Sequence, residues 1–134
     1  MLLHVLHWLY PFFQGIFFGL LAMTLHEGGH VLVALIVGVR VKTVGIRWRG
    51  FYTVREAGPP EKNILVSLGG PVANLLLALA WPLSPVFGLS NLCMGFCNLL
   101  PVRGSDGDRI LDCWRTIQQQ KDRGSDGSLP QDRS

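Results

Sequence analysis

From Pro11 to Val39 the chain carries no lysine or arginine, and Glu27 is its one acid. At about 1.5 Å per residue, a helical run of that length exceeds the roughly 30 Å hydrocarbon core of a bilayer. The pattern predicts a membrane-spanning helix over about 11–39. Two shorter apolar runs follow. Ile64–Trp81 is interrupted by Ser67 and Asn74, and Ser84–Leu100 by small polar residues. Both lie near the lower length limit for a crossing helix, and Pro82-Leu83-Ser84-Pro85 suits a tight turn between them. Between the first and second runs the period changes to two. Apolar and polar or glycine positions alternate over Thr43–Arg49, Phe51–Val54 follows as a second short strand, and Arg49-Gly50 suits the turn. The expected fold is an all-α membrane protein with three transmembrane helices, over about 11–39, 64–81 and 84–100. A small β-hairpin over about 41–55 follows the first of them.

The flanks add detail. Met1–Tyr10, with His4, His7, Trp8 and Tyr10, either extends the first helix or lies in the interface, where aromatic residues concentrate. Pro11 suits a first helical turn. The amino end has no basic residues and the apolar run is too long for a signal-peptide core, so a cleaved signal is not expected. Past Pro101 the chain turns polar. A short amphipathic helix is expected over Asp108–Gln120, with Ile110, Leu111, Trp114 and Ile117 on one side. The domain is taken as 1–115 and the stretch 116–134 as a disordered cytoplasmic tail. Arg-Gly-Ser-Asp-Gly occurs twice, at Arg103–Gly107 and Arg123–Gly127.

Composition agrees with the pattern. Of 134 residues 49% are apolar and 16% charged, against roughly 25% charged in soluble domains. The net charge of +3 is not a nucleic-acid signature, because all twelve Lys and Arg fall in Arg40–Lys62 and Arg103–Arg133. Three spans put those two segments on one side of the membrane. The positive-inside rule makes that side cytoplasmic, leaves the amino end outside, and gives the lipid bilayer as one partner. Cys93, Cys97 and Cys113 are an odd count, so no disulfide framework follows. They read as small buried hydrophobes rather than ligands.

The chemistry is concentrated in Thr24–Val33, TLHEGGHVLV. A charged group near the bilayer midplane costs about 3 kcal/mol or more, so His26, Glu27 and His30 require a return. His26 and His30 are four apart and share a helix face, which lets both imidazoles reach one metal ion. Glu27 is poised to act on a water at that ion. Gly28 and Gly29 weaken the helix but let another backbone approach. Catalytic zinc takes a third protein ligand and keeps a fourth position open. Asp106, in a turn after Pro101, is a reasonable third ligand, and Asp108 and Asp112 compete with it on chemistry alone.

Three motifs together resemble those of the site-2 protease family of intramembrane zinc metalloproteases. His26, Glu27 and His30 match its His-Glu-x-x-His pattern. Gly70, Pro71 and Asn74 match its Gly-Pro-x-x-Asn motif. Asn98, Pro101, Asp106 and Gly107 match its Asn-x-x-Pro motif followed by Asp-Gly. Order and spacing agree over roughly residues 20–112. Ser105 stands where the family commonly has Leu, and Asp108 where it has a second Gly. The resemblance implies three helices forming the family's core, and one Zn2+ per chain held by His26, His30 and Asp106. It makes Glu27 the base, and Asn74 a hydrogen-bond donor near the substrate carbonyl. Asn74 also reads as a bond between membrane helices. The implied activity is hydrolysis of peptide bonds in membrane-embedded or juxtamembrane segments of a membrane protein substrate, in a bacterial cell (inner) membrane. Such a segment must unwind first, and the hairpin could hold it by strand addition or rest on headgroups through Trp48 and Tyr52. The alternative is a non-proteolytic scaffold or regulator that keeps the fold and the metal site.

Overall fold

The computed structural model describes residues 2–47, 50–55 and 58–126. Helix α1 runs over Leu2–Val37, with Pro11 inside it rather than in its first turn. Residues 2–10 therefore extend the helix. Within it Leu9–Val37 is long and apolar enough to cross a membrane. The helix ends where Gly38 takes φ 72°, a left-handed value that glycine adopts without strain. The Gly38 N–H then donates to the Leu35 carbonyl and the Val39 N–H to that of Ala34, the paired bonds of a Schellman cap. Val39 folds back to pack with Ala34 and Val66.

Strands β1 (Val41–Arg47) and β2 (Gly50–Arg55) pair antiparallel, with Val44 opposite Thr53 and a register irregularity between Val41 and Thr43. Gly50 pairs with Arg47 as the first residue of β2, so it is a strand residue rather than half of the expected Arg49-Gly50 turn, and positions 48 and 49 lie outside the described residues. Helix α2 covers Pro60–Ala78. It starts four residues before the apolar run because Pro60 is pre-set for a first helical turn, and the Asn63 side chain donates to the Gly58 carbonyl. Helix α3 covers Pro85–Leu99, with Ser84 capping it and Pro85 in its first turn. Its 15 residues extend about 22 Å. Helix α4 covers Asp106–Asp126. It continues past Gln120, into the stretch expected to be disordered. Gln118-Gln119-Gln120-Lys121 are all good helix formers, and nothing before Gly124 breaks the run.

The interior is inverted relative to a soluble domain. Among the described residues the buried hydrophobics are Ala22, Ala34, Val39 and Val66, while His26, His30, Ser67, Asn74, Asn91 and Asp106 are buried too. Phe12, Phe13, Phe17, Leu32, Leu35 and Ile36 face outward, as do Cys93 and Cys97, against the expectation that those cysteines would be buried. Small residues inside and large apolar ones outside suit a lipid environment, where helices associate through close backbone packing and interhelical hydrogen bonds. Gly29 of α1 lies directly on Gly69 of α2. A Cβ on Gly69 would lie 2.6 Å from the Gly29 carbonyl oxygen. Phe18 of α1 meets Phe87 of α3 edge to face, with centroids 5.6 Å apart. Since α3 ends beside α4, which begins at His26 and His30, α1 and α3 run parallel and α2 antiparallel to both.

Candidate metal centre

Helical spacing puts His26 and His30 on the α1 face that meets α2. Their Nε2 atoms lie 3.2 Å apart, and both rings are buried. Asp106, the first residue of α4, brings Oδ2 to 2.9 Å from His26 Nε2 and 3.1 Å from His30 Nε2. Three donor atoms thus form a nearly equilateral triangle in a buried site. Glu27 is adjacent, with its carboxylate within 4.8 Å of the two imidazole donor atoms.

The surroundings orient the donors. His30 Nδ1 donates to the Val66 carbonyl at 2.7 Å, which fixes the tautomer and leaves the Nε2 lone pair facing the triangle. The Gly70 N–H, 3.2 Å from the same nitrogen, is then a neighbour rather than a donor to it. Burial disfavours the charged form of Asp106. The His26 and His30 imidazoles beside it outweigh that and hold its carboxyl well below the usual carboxylate range. Its second oxygen lies 3.8 Å from the exposed Arg109 guanidinium.

The start of α4 explains the unusual loop. Ser105 Oγ accepts from the Asp108 N–H at 3.1 Å and donates to the Leu100 carbonyl at 2.6 Å. The Asp108 carboxylate accepts from the Gly104 N–H at 2.9 Å, and Gly104 takes φ 90°. This is a variant of the capping box. It occupies Asp108 in the loop, while Asp112 lies 3.4 Å from Arg115 on the exposed side of α4. Of the three competing aspartates, Asp106 is the one brought to the histidines. The second copy of the repeat falls at the far end of α4, with Asp126 its last residue. Asn74 is fully buried, and its side-chain amide donates to the Ala22 carbonyl at 3.3 Å.

The residues fit a zinc ion. Two imidazole nitrogens and one carboxylate oxygen are a catalytic zinc donor set, and donors at about 2.0–2.1 Å in a tetrahedron sit roughly 3.3 Å apart. A separate observation agrees. A Cβ on Gly70 would lie 2.5 Å from His30 Nε2 and 2.7 Å from His26 Nε2, so the absent side chain leaves the space between the two nitrogens open. The Val66 carbonyl had no sequence signal, since every residue has one. The Ser-x-x-Asp cap at 105–108 does carry one in its spacing.

Comparisons with known proteins point the same way. A family model described as Peptidase M50B-like matches residues 1–102. A zinc metalloprotease of Methanocaldococcus jannaschii is 28% identical over 104 residues, covering 67% of this chain and 31% of that protein. Stage IV sporulation protein FB of Bacillus subtilis is 32% identical over 106 residues, covering 69% of this chain and 37% of that protein. The chain thus spans about a third of the length of these curated relatives. Among solved structures, the site-2 protease from Methanocaldococcus jannaschii superposes with a TM-score of 0.64 at 25% identity, over 78% of this chain and 54% of that one.

Proposed function

Because the chain belongs to the Peptidase M50B-like, or site-2 protease, family, we propose that it is a zinc metalloendopeptidase acting on membrane-embedded or juxtamembrane segments of other proteins. The observation that carries this reading is the buried triangle of His26 Nε2, His30 Nε2 and Asp106 Oδ2, with the Gly70 backbone leaving its centre open. In this reading those three residues hold one Zn2+, which when bound supplies Lewis-acid polarisation. Glu27 accepts the proton of the attacking water and delivers it to the leaving amine. The Val66 carbonyl keeps His30 in the ligand tautomer, and the Ser105–Asp108 cap holds Asp106 at the head of α4. Asn74 gives one amide N–H to the Ala22 carbonyl and so pairs α2 with α1, and its second N–H is the donor available to a substrate carbonyl.

The three-span arrangement completes the proposal. In it α1, α2 and α3 cross a bacterial cell membrane, with the hairpin and α4 on the cytoplasmic side, where both basic segments lie. Burial of a polar cluster among helices whose outer faces are apolar supports it.

The deciding experiment is Glu27→Gln in the full chain, reconstituted with single-span substrate proteins. Zinc should stay bound, because Glu27 is not a ligand, while cleavage should fall by about 10²–10⁴-fold, as for a removed general base. Cleavage at the wild-type rate in this variant would overturn the assigned base. A wild type that binds zinc and cleaves nothing, while its deletion has a phenotype that Glu27→Gln rescues, would favour the scaffold.

A further inference from the structure

Three buried side-chain atoms have no hydrogen-bond partner among the described residues: His26 Nδ1, Asn74 Oδ1 and Asn91 Oδ1. Asn91, on α3, is outside every motif discussed above. It is fully buried, and its amide donates to the Phe87 carbonyl at 2.9 Å. The Asn74 amide donates likewise to Ala22. Each neighbouring carbonyl sets the orientation of its asparagine and leaves the side-chain oxygen as an unmet acceptor. His26 points Nε2 at the donor triangle, so as a neutral ligand it carries its proton on Nδ1. The three atoms are one N–H donor and two acceptors.

The helix contacts put them at adjacent levels of the bundle. Phe18 of α1 meets Phe87 of α3. One turn further along each of these parallel helices are Ala22 and Asn91, and Asn74 of α2 bonds Ala22. One turn further again are His26 and Gly95, the latter against the Pro71 carbonyl and the Leu75 side chain. Asn91 shares the α3 face of Phe87 and Gly95, and so enters the bundle at the level of Asn74, about 5.4 Å along the axis from His26. The side chain of Ala22, also fully buried, is only a methyl group.

We propose that this level binds one structural water, which accepts from the His26 Nδ1–H and donates to Asn74 Oδ1 and Asn91 Oδ1. Buried waters typically make about three hydrogen bonds to otherwise unpaired groups, and one water meets this donor and both acceptors. Metal-ligating histidines almost always pass the second ring N–H to a carboxylate, a carbonyl or a water. His30 uses the Val66 carbonyl, and His26 uses the water. Asn91 is then a positioning residue that acts on the metal site through His26. The inference rests on the metal reading of the site.

The test uses full-length protein in detergent, with 15N-labelled histidine and zinc affinity measured by chelator competition. In the unmodified zinc-bound protein, the His26 Nδ1–H should exchange magnetisation with a long-lived water, and the His30 Nδ1–H should not. Asn91→Leu should raise the zinc dissociation constant by about 10–100-fold, the usual loss for an outer-shell partner, and shift the His26 signal but not that of His30. Asn91→Asp, neutral at this buried position and donating its carboxyl O–H to the Phe87 carbonyl, keeps an acceptor in place and should restore both readouts. A His26 Nδ1–H with no water contact in the unmodified protein overturns the inference, whether or not Asn91→Leu folds. So does an Asn91→Leu affinity within about twofold of wild type, against the range above. Wild-type protein that binds no zinc overturns the metal reading first, and this inference with it. Zinc-bound wild type with either of the other two results overturns this inference alone.

Discussion

Gly70→Ala places a single methyl group where the proposed metal would sit. Its Cβ would stand 2.5 Å from His30 Nε2 and 2.7 Å from His26 Nε2, about 1 Å inside the ordinary contact distance of roughly 3.5 Å. His30 has little room to retreat, because its Nδ1 is held 2.7 Å from the Val66 carbonyl. Helix α2 cannot shift freely either, since Gly69 already abuts Gly29. Two terms set the effect on the fold. Alanine in a helix interior gains about 1 kcal/mol over glycine, and overpacking costs about 1–3 kcal/mol. The apoprotein should therefore lose only about 0–2 kcal/mol. Zinc binding should fall far more, beyond the roughly 100-fold upper range for a misoriented ligand, because the methyl excludes the ion outright. Chelator competition reads the affinity, and thermal unfolding in excess chelator reads the fold separately. Gly28→Ala is the control. Nothing lies within 4 Å of its Cβ, so it should keep zinc and gain up to about 1 kcal/mol. A Gly70→Ala protein with wild-type zinc affinity would refute the placement of the ion between the two Nε2 atoms.

Other substitutions test the remaining parts. His26→Ala and Asp106→Ala should each abolish stoichiometric zinc in metal analysis, while Asp126→Ala, in the second copy of the repeat, should not; equal loss in the Asp126 variant would mean the wrong copy had been assigned. Ser105→Ala should cost about 1 kcal/mol in unfolding free energy, as for a lost N-cap, and unchanged stability would argue against the capping role. For topology, single cysteines at positions 84 and 125 in a cysteine-free background should be labelled from outside and inside the cell respectively, and the reverse pattern would overturn the charge-based orientation.

Much of the site could be read from the chain because its chemistry is local. His26, Glu27 and His30 share one helix face by spacing alone, and the cost of burying them in an apolar run made them conspicuous. The third donor was not fixed by spacing, because Asp106, Asp108 and Asp112 differ in what they touch and not in type. A cap built from Ser105 and Asp108 separates them, and that distinction exists only once the loop has folded. Helix ends were read less well. Pro60 starts α2 on polar residues and α4 continues to Asp126, since backbone propensity extends helices beyond their apolar stretches. Pro11 was read as a start because proline suits one, yet the helix continues through it. The hairpin's existence followed from the period-two pattern. Its exact turn did not, because strand pairing begins at Gly50 rather than after it.

The three donors come from two distant parts of the chain, with Asp106 80 residues beyond His26. On the proposed topology, a ribosome making this protein delivers α1 to the membrane long before α4 exists. Until Asp106 has been synthesised and docked, the two histidines offer an incomplete site. Because a site absent from the unassembled chain makes metal binding free energy part of folding free energy, the ion would act as a late fastener between α1 and α4. On the proposed function, hydrolytic competence then arrives only once α4 has docked, and a chain that stops short of Asp106 stays inert in the same bilayer.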